Sequence, residues 1–487
     1  MSNEQDTRLG ILNSILTTPH RELMPTYKIH AEFISQDPLF YQHMAAWYCD
    51  KGDIRDVKEV FIINLCLSSF GGHRNIGLAL LRKLPPFQVE RIVNFIHNEL
   101  KLNIPRSMVT EITRYLAERE GNPNWFDQSV LTARKSMKRL YSLLHIKPSD
   151  RAQEVLFEDS PPEDSQLYIL KQVSKLDNPT DQARMLIESK IPYKVACSVI
   201  KNMTPAIIFA LVDSMSSQEL INNMGSLKKR GALDNEEIKI LVDKKLKKAK
   251  TSKKVSALKG LEAVKNTNLS VESKAQLQDI ADTQIKSKGR IKRPTALLID
   301  KSSSMNQSIE IGKQMAAMIS SVMADDVNFF CYAFDEIPME IKSRGKDIGS
   351  WSDAFMGIKA QGCTGCGAPL VALKSKKQLV EQIVIITDEG ENRSPAFLKA
   401  LKDYAQTMNV EIPSVTMLRC GNRYSWGTIS NKLINAGIET NVYEFSGDYY
   451  SLPNLIHFLT KPSKLDLLME IMGYELPQRQ IVVQQAS

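Results

Sequence analysis

Leu297-Leu-Ile-Asp-Lys-Ser-Ser-Ser-Met305 is the stretch of sequence that decides the fold of the C-terminal part of this chain. It places Asp300, Ser302 and Ser304 in an Asp-x-Ser-x-Ser pattern, where an apolar, strand-like run gives way to a helical pattern. Carboxylate and hydroxyl oxygens are hard ligands, which Mg²⁺ prefers in an octahedral shell completed by water or by a partner's oxygen. The pattern therefore predicts part of a divalent-cation site at the end of a strand.

Two later segments can supply the remaining ligands. Thr364 lies in Gly362-Cys-Thr-Gly-Cys-Gly367, and Asp388 ends the strand-like run Ile383-Val-Ile-Ile-Thr-Asp388. We expect each of these segments at the C-terminal end of a strand, where open α/β sheets bind their ligands. Together they resemble the metal-ion-dependent adhesion site of a von Willebrand factor A domain. The predicted ligands of Mg²⁺, or of another divalent cation, are Asp300, Ser302, Ser304, Thr364 and Asp388.

Two other interpretations of these residues are open. The serines could cap the following helix and Asp388 could be a turn residue, but this leaves the joint placement of the three segments unexplained. Asp388, Glu389 and Glu391 could instead form a hydrolytic two-metal centre. That centre would lack a nearby histidine or a second acidic strand end to activate water. We therefore predict a binding or structural metal site and no catalytic residues.

The residues around the metal motif alternate between strand-like and helical patterns. Thr295–Asp300 is apolar and unbroken, as in a strand buried on both faces of a sheet. The alternation predicts a parallel sheet with helices on both faces. The predicted elements are the strands Thr295–Asp300, Val327–Phe334, Gln382–Thr387, Ile412–Leu418 and Asn441–Phe445 and the helices Ile309–Met323, Pro395–Met408 and Ile429–Ala436, with another helix after Gly367.

Residues 1 to about 290 show a different pattern, a series of amphipathic helices separated by short polar or proline-containing breaks. Breaks at fairly regular intervals favour stacked helix pairs of the solenoid type, although no clean repeated motif is visible. The clearest predicted helices are Asp56–Leu67, Phe87–Leu100, Met108–Arg119, Val130–Leu144 and Pro205–Ser214.

Positive charge is concentrated in one segment of the chain. Lys228–Lys259 holds twelve Lys and Arg against four Asp and Glu, a net charge of +8 that equals the formal charge of all 487 residues. Such a lysine-rich segment is commonly a solvated helix face or a tether. It could also bind phosphate, because clustered cations displace counterions from nucleic acid.

A second basic cluster lies in the helix predicted before Leu143-Leu-His-Ile-Lys-Pro148. Pairs of cations four residues apart are expected on one helix face, where they repel each other by a few tenths of a kcal/mol and where a polyanion would relieve that cost. His145, just beyond the helix, could contact phosphate or stack on a base, or it could be a partly buried core residue. The candidate RNA-binding residues are Arg134, Lys135, Lys138, Arg139 and His145.

The order of several short segments resembles the TROVE module of the Ro ribonucleoprotein family. The resemblance runs from roughly residue 10 to residue 475 and includes the C-terminal A domain. This chain has a few residues fewer between the basic cluster and the histidine than the family pattern. The segments that carry the resemblance are Gln36-Asp-Pro-Leu-Phe40, Gly52-Asp-Ile-Arg-Asp-Val57, Leu140-Tyr-Ser-Leu-Leu-His-Ile-Lys-Pro148, Asn202-Met-Thr-Pro205 and Ile221-Asn-Asn-Met-Gly-Ser-Leu-Lys-Lys-Arg-Gly231.

The resemblance implies a fold and a function. It implies an α plus α/β protein, a ring of HEAT-like helical repeats (1–290) closed by a doubly wound A domain (291–475), with a C-terminal tail (476–487). Family members bind small noncoding Y RNAs on a basic outer surface and single-stranded 3′ ends of misfolded RNAs in a central hole. They act in RNA quality control, and bacterial members associate with exoribonucleases. The five candidate RNA-binding residues match the family's Y RNA contact helix.

Other features of the sequence bear on compartment and chemistry. The first twenty residues are polar, no apolar run reaches the length of about eighteen residues needed to cross a membrane, and seven scattered cysteines are typical of reduced thiols. We therefore expect a cytoplasmic, monomeric protein.

Zinc or redox chemistry at Cys363-x-x-Cys366 is a minor alternative, since no second cysteine pair follows. The sequence contains no phosphate-binding Gly-rich loop with Lys, no Gly-x-Ser-x-Gly elbow and no His-Glu-x-x-His, which favours a non-enzyme. A metal-dependent protein-interaction scaffold without RNA and a weak metal-dependent hydrolase remain as alternatives.

Overall fold

The structure is a computed structural model that describes residues 8, 10–12, 23–250, 260, 263, 271–445, 449–461 and 464–479. The chain divides into two compact units. One comprises Leu23–Ala281 with Ile471–Ser487, and the other comprises Asp282–Glu470 with Met1–Glu22. In the described residues the first unit is helical and the second contains a six-stranded sheet. The predicted combination of a helical module with an α/β domain is therefore confirmed.

The helical unit contains short helices joined by short loops, and the last of these helices crosses the division between the units. A π-helix, Phe95–Glu99, directly continues α5. The bounds are α1 Leu23–Gln36, α2 Pro38–Lys51, α3 Arg55–Leu67, α4 His73–Leu81, α5 Pro86–Asn94, α6 Arg106–Glu120, α7 Pro123–Leu143, α8 Asp150–Phe157, α9 Gln166–Val173, α10 Pro179–Ser189, α11 Tyr193–Val199, α12 Pro205–Ser214, α13 Ser217–Lys229, α14 Glu236–Lys250 and α15 Val271–Lys286.

The proline-containing breaks of the sequence are the starts of helices in the structure. Proline occupies the first turn of several of them, where its missing N–H costs nothing because the first-turn N–H groups have no partner within the helix. The residue before the proline supplies a side-chain cap. Asp37 accepts a hydrogen bond from the Phe40 amide at 3.0 Å, and Asn122 accepts one from the Trp125 amide at 3.1 Å.

Apolar faces of the helices pack against one another in pairs. In the later part of the unit α12 packs against both α10 and α14. Leu186, Leu211 and Leu246, one from each of these helices, belong to a single buried cluster. Each of these helices is amphipathic and becomes stable through the neighbours that cover its apolar face. The predicted stack of helices is confirmed at this level.

The segment after Ile471 packs on the helical unit. The carbonyl oxygen of Tyr474 lies 2.9 Å from Nδ1 of His43, and the Tyr474 hydroxyl donates to Asp50 at 2.7 Å. Arg479 forms an ion pair with the buried carboxylate of Glu111 at 2.6 Å. The first residues of the segment that the sequence analysis assigned to a tail are therefore ordered against α6, while residues 480–487 lie outside the described residues.

The second unit is built on a sheet with the strand order β3-β2-β1-β4-β5-β6. Neighbouring strands pair in parallel except for β3, which pairs antiparallel with β2 at the sheet edge. The two central strands, β1 and β4, are buried along their whole length, as expected for strands covered on both faces. The strands are β1 Thr295–Asp300, β2 Phe329–Phe334, β3 Pro338–Ile341, β4 Gln382–Thr387, β5 Ser414–Arg419 and β6 Thr440–Glu444.

Helices connect the strands and cover the sheet. Leu298, Ile383 and Met417 from three adjacent strands form one core with Leu370 and Leu401 from the covering helices. The helices of this unit are α16 Asn306–Val322, α17 Ile348–Ala354, α18 Ala368–Ser375, α19 Phe397–Met408, α20 Ser430–Asn435, α21 Leu452–Leu459 and α22 Lys464–Met472, the last of which crosses the second division between the units.

The sequence patterns located the central elements and missed some peripheral ones. β1 and β4 have the predicted bounds, and the other predicted strands differ by one or two residues at their ends. β3 was not predicted, because four residues with a proline at the first position give almost no periodic signal. α17, α21 and α22, which are seven, eight and nine residues long, were not predicted either.

Close packing between α16 and β1 gives a test of the fold next to the metal motif. A Cβ atom at Gly312 would lie 2.6 Å from Cδ1 and 2.9 Å from Cγ2 of Ile299. Because Ile299 is β-branched and buried, it cannot move away freely. We expect Gly312→Ala to lower the free energy of unfolding by about 1–3 kcal/mol. Gly71→Ala, where nothing lies within 4 Å of the new Cβ, is the matched control in urea denaturation. Equal stability of the two variants would contradict this packing.

Candidate functional site

Asp300, the last residue of β1, lies at the centre of the predicted metal site and is fully buried. Its carboxylate accepts hydrogen bonds from the Ser302 amide at 2.9 Å and from the Thr387 hydroxyl at 2.8 Å. Burial raises the pKa of Asp300, hydrogen bonding from the side chain and amide of Ser302 and from Thr387 opposes that rise, and the negative charge of Asp388 adds to it. A cation between the two carboxylates would remove this unfavourable interaction.

Asp388 directly follows β4, the neighbour of β1 in the sheet, so the two carboxylates lie at the ends of adjacent parallel strands. Asp388 accepts hydrogen bonds from the Gly390 amide at 2.9 Å and from the Ser304 hydroxyl at 3.3 Å. Its side chain is almost fully buried, whereas Ser304 is exposed. The structure therefore brings together the first and the last segment of the predicted ligand set.

The hydroxyl of Ser302 is buried beside the Asp300 carboxylate. It makes no hydrogen bond of good geometry with the described residues, but it lies close enough to Asp300 to help lower the pKa of that carboxyl. A hydroxyl that donates weakly to a carboxylate keeps its oxygen lone pairs for another partner. A donor set of carboxylates and hydroxyls of this kind fits a hard divalent cation.

Thr364 lies near this edge of the sheet, but in a different element from the one predicted. It does not follow a strand; it lies in the loop between α17 and α18. The prediction that its segment ends a strand is wrong, because hydrogen bonds and not strand direction hold the loop in place. The Thr364 amide donates to Asn392 Oδ1 at 2.9 Å, and the amides of Asn392 and Arg393 donate to the Thr364 carbonyl. Thr364 itself is buried, beside the segment that follows Asp388.

Further hydrogen bonds fix the same loop to the ends of β1 and β2. The Gln361 amide donates to the Lys301 carbonyl at 2.7 Å, and the Ser303 amide donates to the Gly362 carbonyl at 3.3 Å. The ammonium group of Lys301 pairs with the Asp335 carboxylate just beyond β2. These contacts place all five predicted ligands at the carboxyl edge of the sheet.

Two residues of this edge were missed by the sequence analysis. Thr387 donates to Asp300, and Asn392 holds Thr364 in position. Thr387 immediately precedes Asp388, so its place at the end of a buried strand was a usable signal. Asn392 had no such signal, because its contact depends on how two loops meet.

The acidic residues after Asp388 have other partners. The fully buried Glu389 carboxylate accepts from Arg419 at 2.5 Å, from the Ile429 and Ser430 amides at 2.8 Å each, and from the Gly427 amide at 3.0 Å. Glu391 accepts from the Phe397 amide at 2.6 Å. Both carboxylates are thus used to hold the chain in place, which disfavours a two-metal centre built from this cluster.

The two cysteines beside Thr364 are free thiols. Cys366 is buried, and burial raises the pKa of its thiol well above the usual value. A thiol with a raised pKa is a poor metal ligand and a poor nucleophile, because both roles need the thiolate. Among the described residues no group of three or more His, Cys, Asp or Glu side chains is placed to hold a metal ion. The zinc and redox alternatives gain no support from this arrangement.

The predicted RNA-binding helix is α7, and it is not continuous. Ala133 has non-helical backbone angles (φ −142°, ψ 35°), so the helix is kinked immediately before Arg134. The Arg134 guanidinium is half-buried and donates to the Leu156 carbonyl at 3.1 Å, near the C-terminal end of α8. A cation there satisfies a carbonyl that has no partner within its own helix and interacts favourably with the helix dipole. Arg134 therefore has a structural role.

The remaining cations of the cluster differ in their surroundings. The Lys138 ammonium lies 5.4 Å from the centre of the Phe157 ring, and the Arg139 guanidinium pairs with Glu90 at 3.0 Å and donates to Asn94 at 2.9 Å. Lys135 is exposed. Arg134 and Lys138 thus contact α8, whereas Arg139 contacts α5. The expectation of one uniform basic face is replaced by two rows of cations that border different helices.

His145 is exposed and follows the end of α7 with a positive φ of 52°. The interpretation of this residue as a partly buried core histidine is therefore wrong. A left-handed backbone conformation is uncommon outside glycine, asparagine and aspartate, and it turns the chain sharply after the helix. The imidazole is accessible for contact with a ligand.

Some cations of the lysine-rich segment are engaged in contacts within the protein. The Lys245 ammonium donates to the carbonyls of Asp213 and Met215 at 2.6 and 2.7 Å, at the C-terminal end of α12. Lys239 and Lys250 pair with Glu272 and Asp279 of α15. Lys244 and Lys247 are exposed. Residues 251–259 of the segment lie outside the described residues.

Comparisons with known proteins bear on the fold. No protein-family model matches the sequence, and no curated protein matches it. The crystal structure of the Ro (RSR) protein of Deinococcus radiodurans matches with a TM-score of 0.62 and 13% identity, over 94% of this chain and 99% of that one. At this identity the likeness establishes the fold, and it confirms at the level of fold the resemblance to the Ro family.

Two other solved structures match in part. The protein BatB of Bacteroides thetaiotaomicron matches with a TM-score of 0.27 and 14% identity, over 36% of this chain and 98% of its own. A von Willebrand factor type A protein of Catenulispora acidiphila matches with a TM-score of 0.26 and 16% identity, over 38% of this chain and 43% of its own.

In the part of the chain that the structure describes, no helix is both long and apolar enough to cross a membrane.

The buried Glu389 gives a testable consequence of the arrangement at this edge. Glu389→Gln removes the closer and fully buried of the two carboxylates that pair with Arg419, leaving the more exposed Glu444 at 3.8 Å. We expect the free energy of unfolding to fall by about 2–4 kcal/mol at neutral pH. Glu336→Gln, which alters the exposed ion pair with Arg393, should change it by less than about 1 kcal/mol.

The difference between wild type and Glu389→Gln should depend on pH. Burial alone would raise the pKa of Glu389, but hydrogen bonds from three backbone amides and the charge of Arg419 outweigh it and lower that pKa. A lowered pKa in the folded state stabilises the fold above the unfolded-state pKa of about 4.3, and this contribution is lost as the pH falls through the folded-state value. Urea denaturation at several pH values should show the difference shrinking below about pH 4. A constant difference would contradict this role of the charge.

Proposed function

We propose that this chain is an RNA-binding protein of the Ro type. The observation that carries the proposal is the likeness to a Ro protein over almost the whole of both chains, which includes the helical unit as well as the sheet unit. A likeness limited to the A domain would have favoured many unrelated functions, because that fold is used widely. We infer that the protein binds RNA and is not an enzyme.

The surface proposed for a small structured Y-like RNA lies on α7 and the loop after it. Lys135 and His145 are exposed, Lys138 is half-buried beside Phe157, and Arg139 is more than half exposed despite its ion pair with Glu90. Exposed cations contact phosphates, and an accessible imidazole can bind phosphate or stack on an unpaired base. Arg134 supports this surface through its bond to α8 and is not a direct contact in this proposal.

The remaining parts of the proposal follow from the family resemblance. Single-stranded 3′ ends of misfolded RNAs would enter a central hole, and the protein would act in RNA quality control in the cytoplasm, as a monomer and together with an exoribonuclease. Backbone charge and base stacking suffice for such binding, since the defective RNAs share no sequence.

We further propose that Asp300, Ser302, Ser304, Thr364 and Asp388 hold Mg²⁺ or another divalent cation. The buried Ser302 hydroxyl beside the Asp300 carboxylate, together with the nearby Asp388 carboxylate, supports this assignment. A bound cation would offset the charge of the carboxylates and offer an open coordination position to an oxygen ligand. The same feature favours a second candidate function, a metal-dependent protein-interaction scaffold, in which a partner's carboxylate takes that position.

Charge reversal tests the RNA surface. We expect the double variant Lys135→Glu/Lys138→Glu to bind a small structured RNA more weakly. The slope of log affinity against log salt concentration should become shallower by about one unit for each lost phosphate contact. Filter binding of the RNA that copurifies with the protein, over a range of salt concentrations, measures both quantities. Lys83→Glu, a reversal at an exposed lysine between α4 and α5, is the matched control and should have little effect.

Two results would count against the RNA surface. Unchanged affinity and slope in the double variant would remove α7 from it. A purified protein that carries no RNA and has no affinity for an RNA with a single-stranded 3′ tail would instead favour the scaffold function.

Metal binding is tested by thermal unfolding with and without Mg²⁺. A cation that binds only the folded state stabilises it by RT ln(1 + [Mg²⁺]/Kd), about 2.7 kcal/mol at a hundredfold excess over Kd. We expect Mg²⁺ to raise the melting temperature of the wild type but not that of Asp388→Ala, whose RNA binding should remain. Asp353→Ala, at an exposed aspartate of the same unit, should keep the shift. Loss of RNA binding in a folded Asp388→Ala protein would show that the two functions are not separate.

A further inference from the structure

A cleft of about 370 Å³ lies between α19 and α20, and neither proposed function uses it. Its apolar wall is formed by Ala396, Leu398 and Ile429, and Glu391 is also part of its lining. Ile429 is buried and Leu398 is half-buried, so both are fixed by the core of the sheet unit. Known ligand pockets have volumes of about 300–1,000 Å³ and are mostly apolar with a few placed polar groups, a description that fits this cleft.

Three exposed lysines surround the apolar wall. Lys399 and Lys402 lie one turn apart on α19, and Lys432 lies on α20. Lys432 interacts electrostatically with the Glu391 carboxylate of the same lining. Lys374, on another helix, is paired with Asp403 of α19. The cleft thus combines an apolar wall with an excess of cations over its single carboxylate.

The net charge of the lining favours an anionic ligand. Three lysines and the single carboxylate of Glu391 give 3 − 1 = +2. The Glu391 carboxylate accepts a hydrogen bond from the Phe397 amide at 2.6 Å and interacts electrostatically with Lys432. The excess positive charge of Lys399 and Lys402 therefore remains available to an incoming anion, and long-range attraction by such a patch increases association rates.

The shape and chemistry of the wall distinguish between two kinds of anionic macromolecule. Proteins hold unpaired nucleotides mainly by stacking the bases on aromatic rings or arginine guanidinium groups, and the residues that line this cleft include neither. Aliphatic walls accept the side chain of a leucine, methionine or phenylalanine. An acidic peptide with one large apolar side chain matches both the wall and the lysines.

We propose that this cleft docks an acidic segment of a partner protein. One large apolar side chain of the segment enters between Leu398 and Ile429, and the carboxylates on either side of it meet Lys399, Lys402 and Lys432. The docking site requires neither the divalent cation nor the RNA surface, so a test of it is independent of the function proposed above.

Fluorescence anisotropy with the full-length protein tests this docking site. The probe is the fluorescein-labelled peptide Asp-Glu-Asp-Phe-Leu-Asp-Glu. EDTA is present to remove divalent cations, so that the carboxylates of the peptide cannot bind to a cation at Asp388. We expect saturable binding that weakens about tenfold in Lys399→Glu/Lys402→Glu, and that weakens also when serines replace Phe-Leu in the peptide. Lys359→Glu, at an exposed lysine outside the cleft, should bind the peptide as the wild type does.

A change in the wall keeps the test independent of charge. Leu398→Ser should weaken peptide binding without altering binding of the serine-substituted peptide, provided that thermal unfolding shows an intact fold. A labelled oligouridylate of about ten nucleotides is measured in parallel. No saturable peptide binding, or equal affinities for wild type and the double lysine variant, would overturn the proposal. If the double lysine variant lost oligouridylate binding but bound the peptide as the wild type does, the lysines would belong to an RNA site. That result would also overturn the proposal.

Discussion

The burial of two carboxylates at the ends of adjacent strands is the constraint on which the edge of the sheet depends. Asp300 and Asp388 are both almost inaccessible, and the charge of Asp388 adds to the rise that burial causes in the pKa of Asp300. Such a pair is costly unless hydrogen bonds or a cation compensate it. Each carboxylate receives two hydrogen bonds, from Ser302 and Thr387 in one case and from Gly390 and Ser304 in the other. The surrounding loops are arranged to make those bonds possible.

A third buried carboxylate stabilises these loops. Glu389 binds Arg419 and the amides at the start of α20, so the residue next to Asp388 joins the ends of β4 and β5. On the other side, Lys301 pairs with Asp335 beyond β2. The edge is therefore held by charged contacts on both sides of the candidate metal site. These contacts hold the backbone around the oxygens proposed as cation ligands, so the fold itself supports the proposed site.

The sequence was informative where a pattern is local and uninformative where two distant segments meet. The buried strand before Asp300 and the run that ends at Asp388 have short-range apolar patterns, and their bounds were predicted correctly. Thr364 was placed at a strand end because nothing in its own segment shows that Asn392, 28 residues later, holds its backbone. The kink at Ala133 and the engagement of Arg134 by α8 were likewise invisible, since helical periodicity continues through both residues.

The number of cations in a segment differs from the number that a ligand can reach, because some of the cations are used in contacts within the protein. Lys228–Lys259 accounts for a net charge equal to that of the whole chain, yet Lys239 and Lys250 are paired with α15 and Lys245 caps α12. A lysine that satisfies carbonyl groups cannot also release counterions from a phosphate backbone without loss of the helix contact. Exposure and pairing, not local density, therefore decide which cations can bind RNA. On that criterion both segments keep accessible cations, since Lys135 of α7 and Lys244 and Lys247 of α14 are exposed, whereas Arg139 is paired with Glu90. The choice of α7 as the proposed RNA surface therefore rests on the family resemblance and not on charge alone.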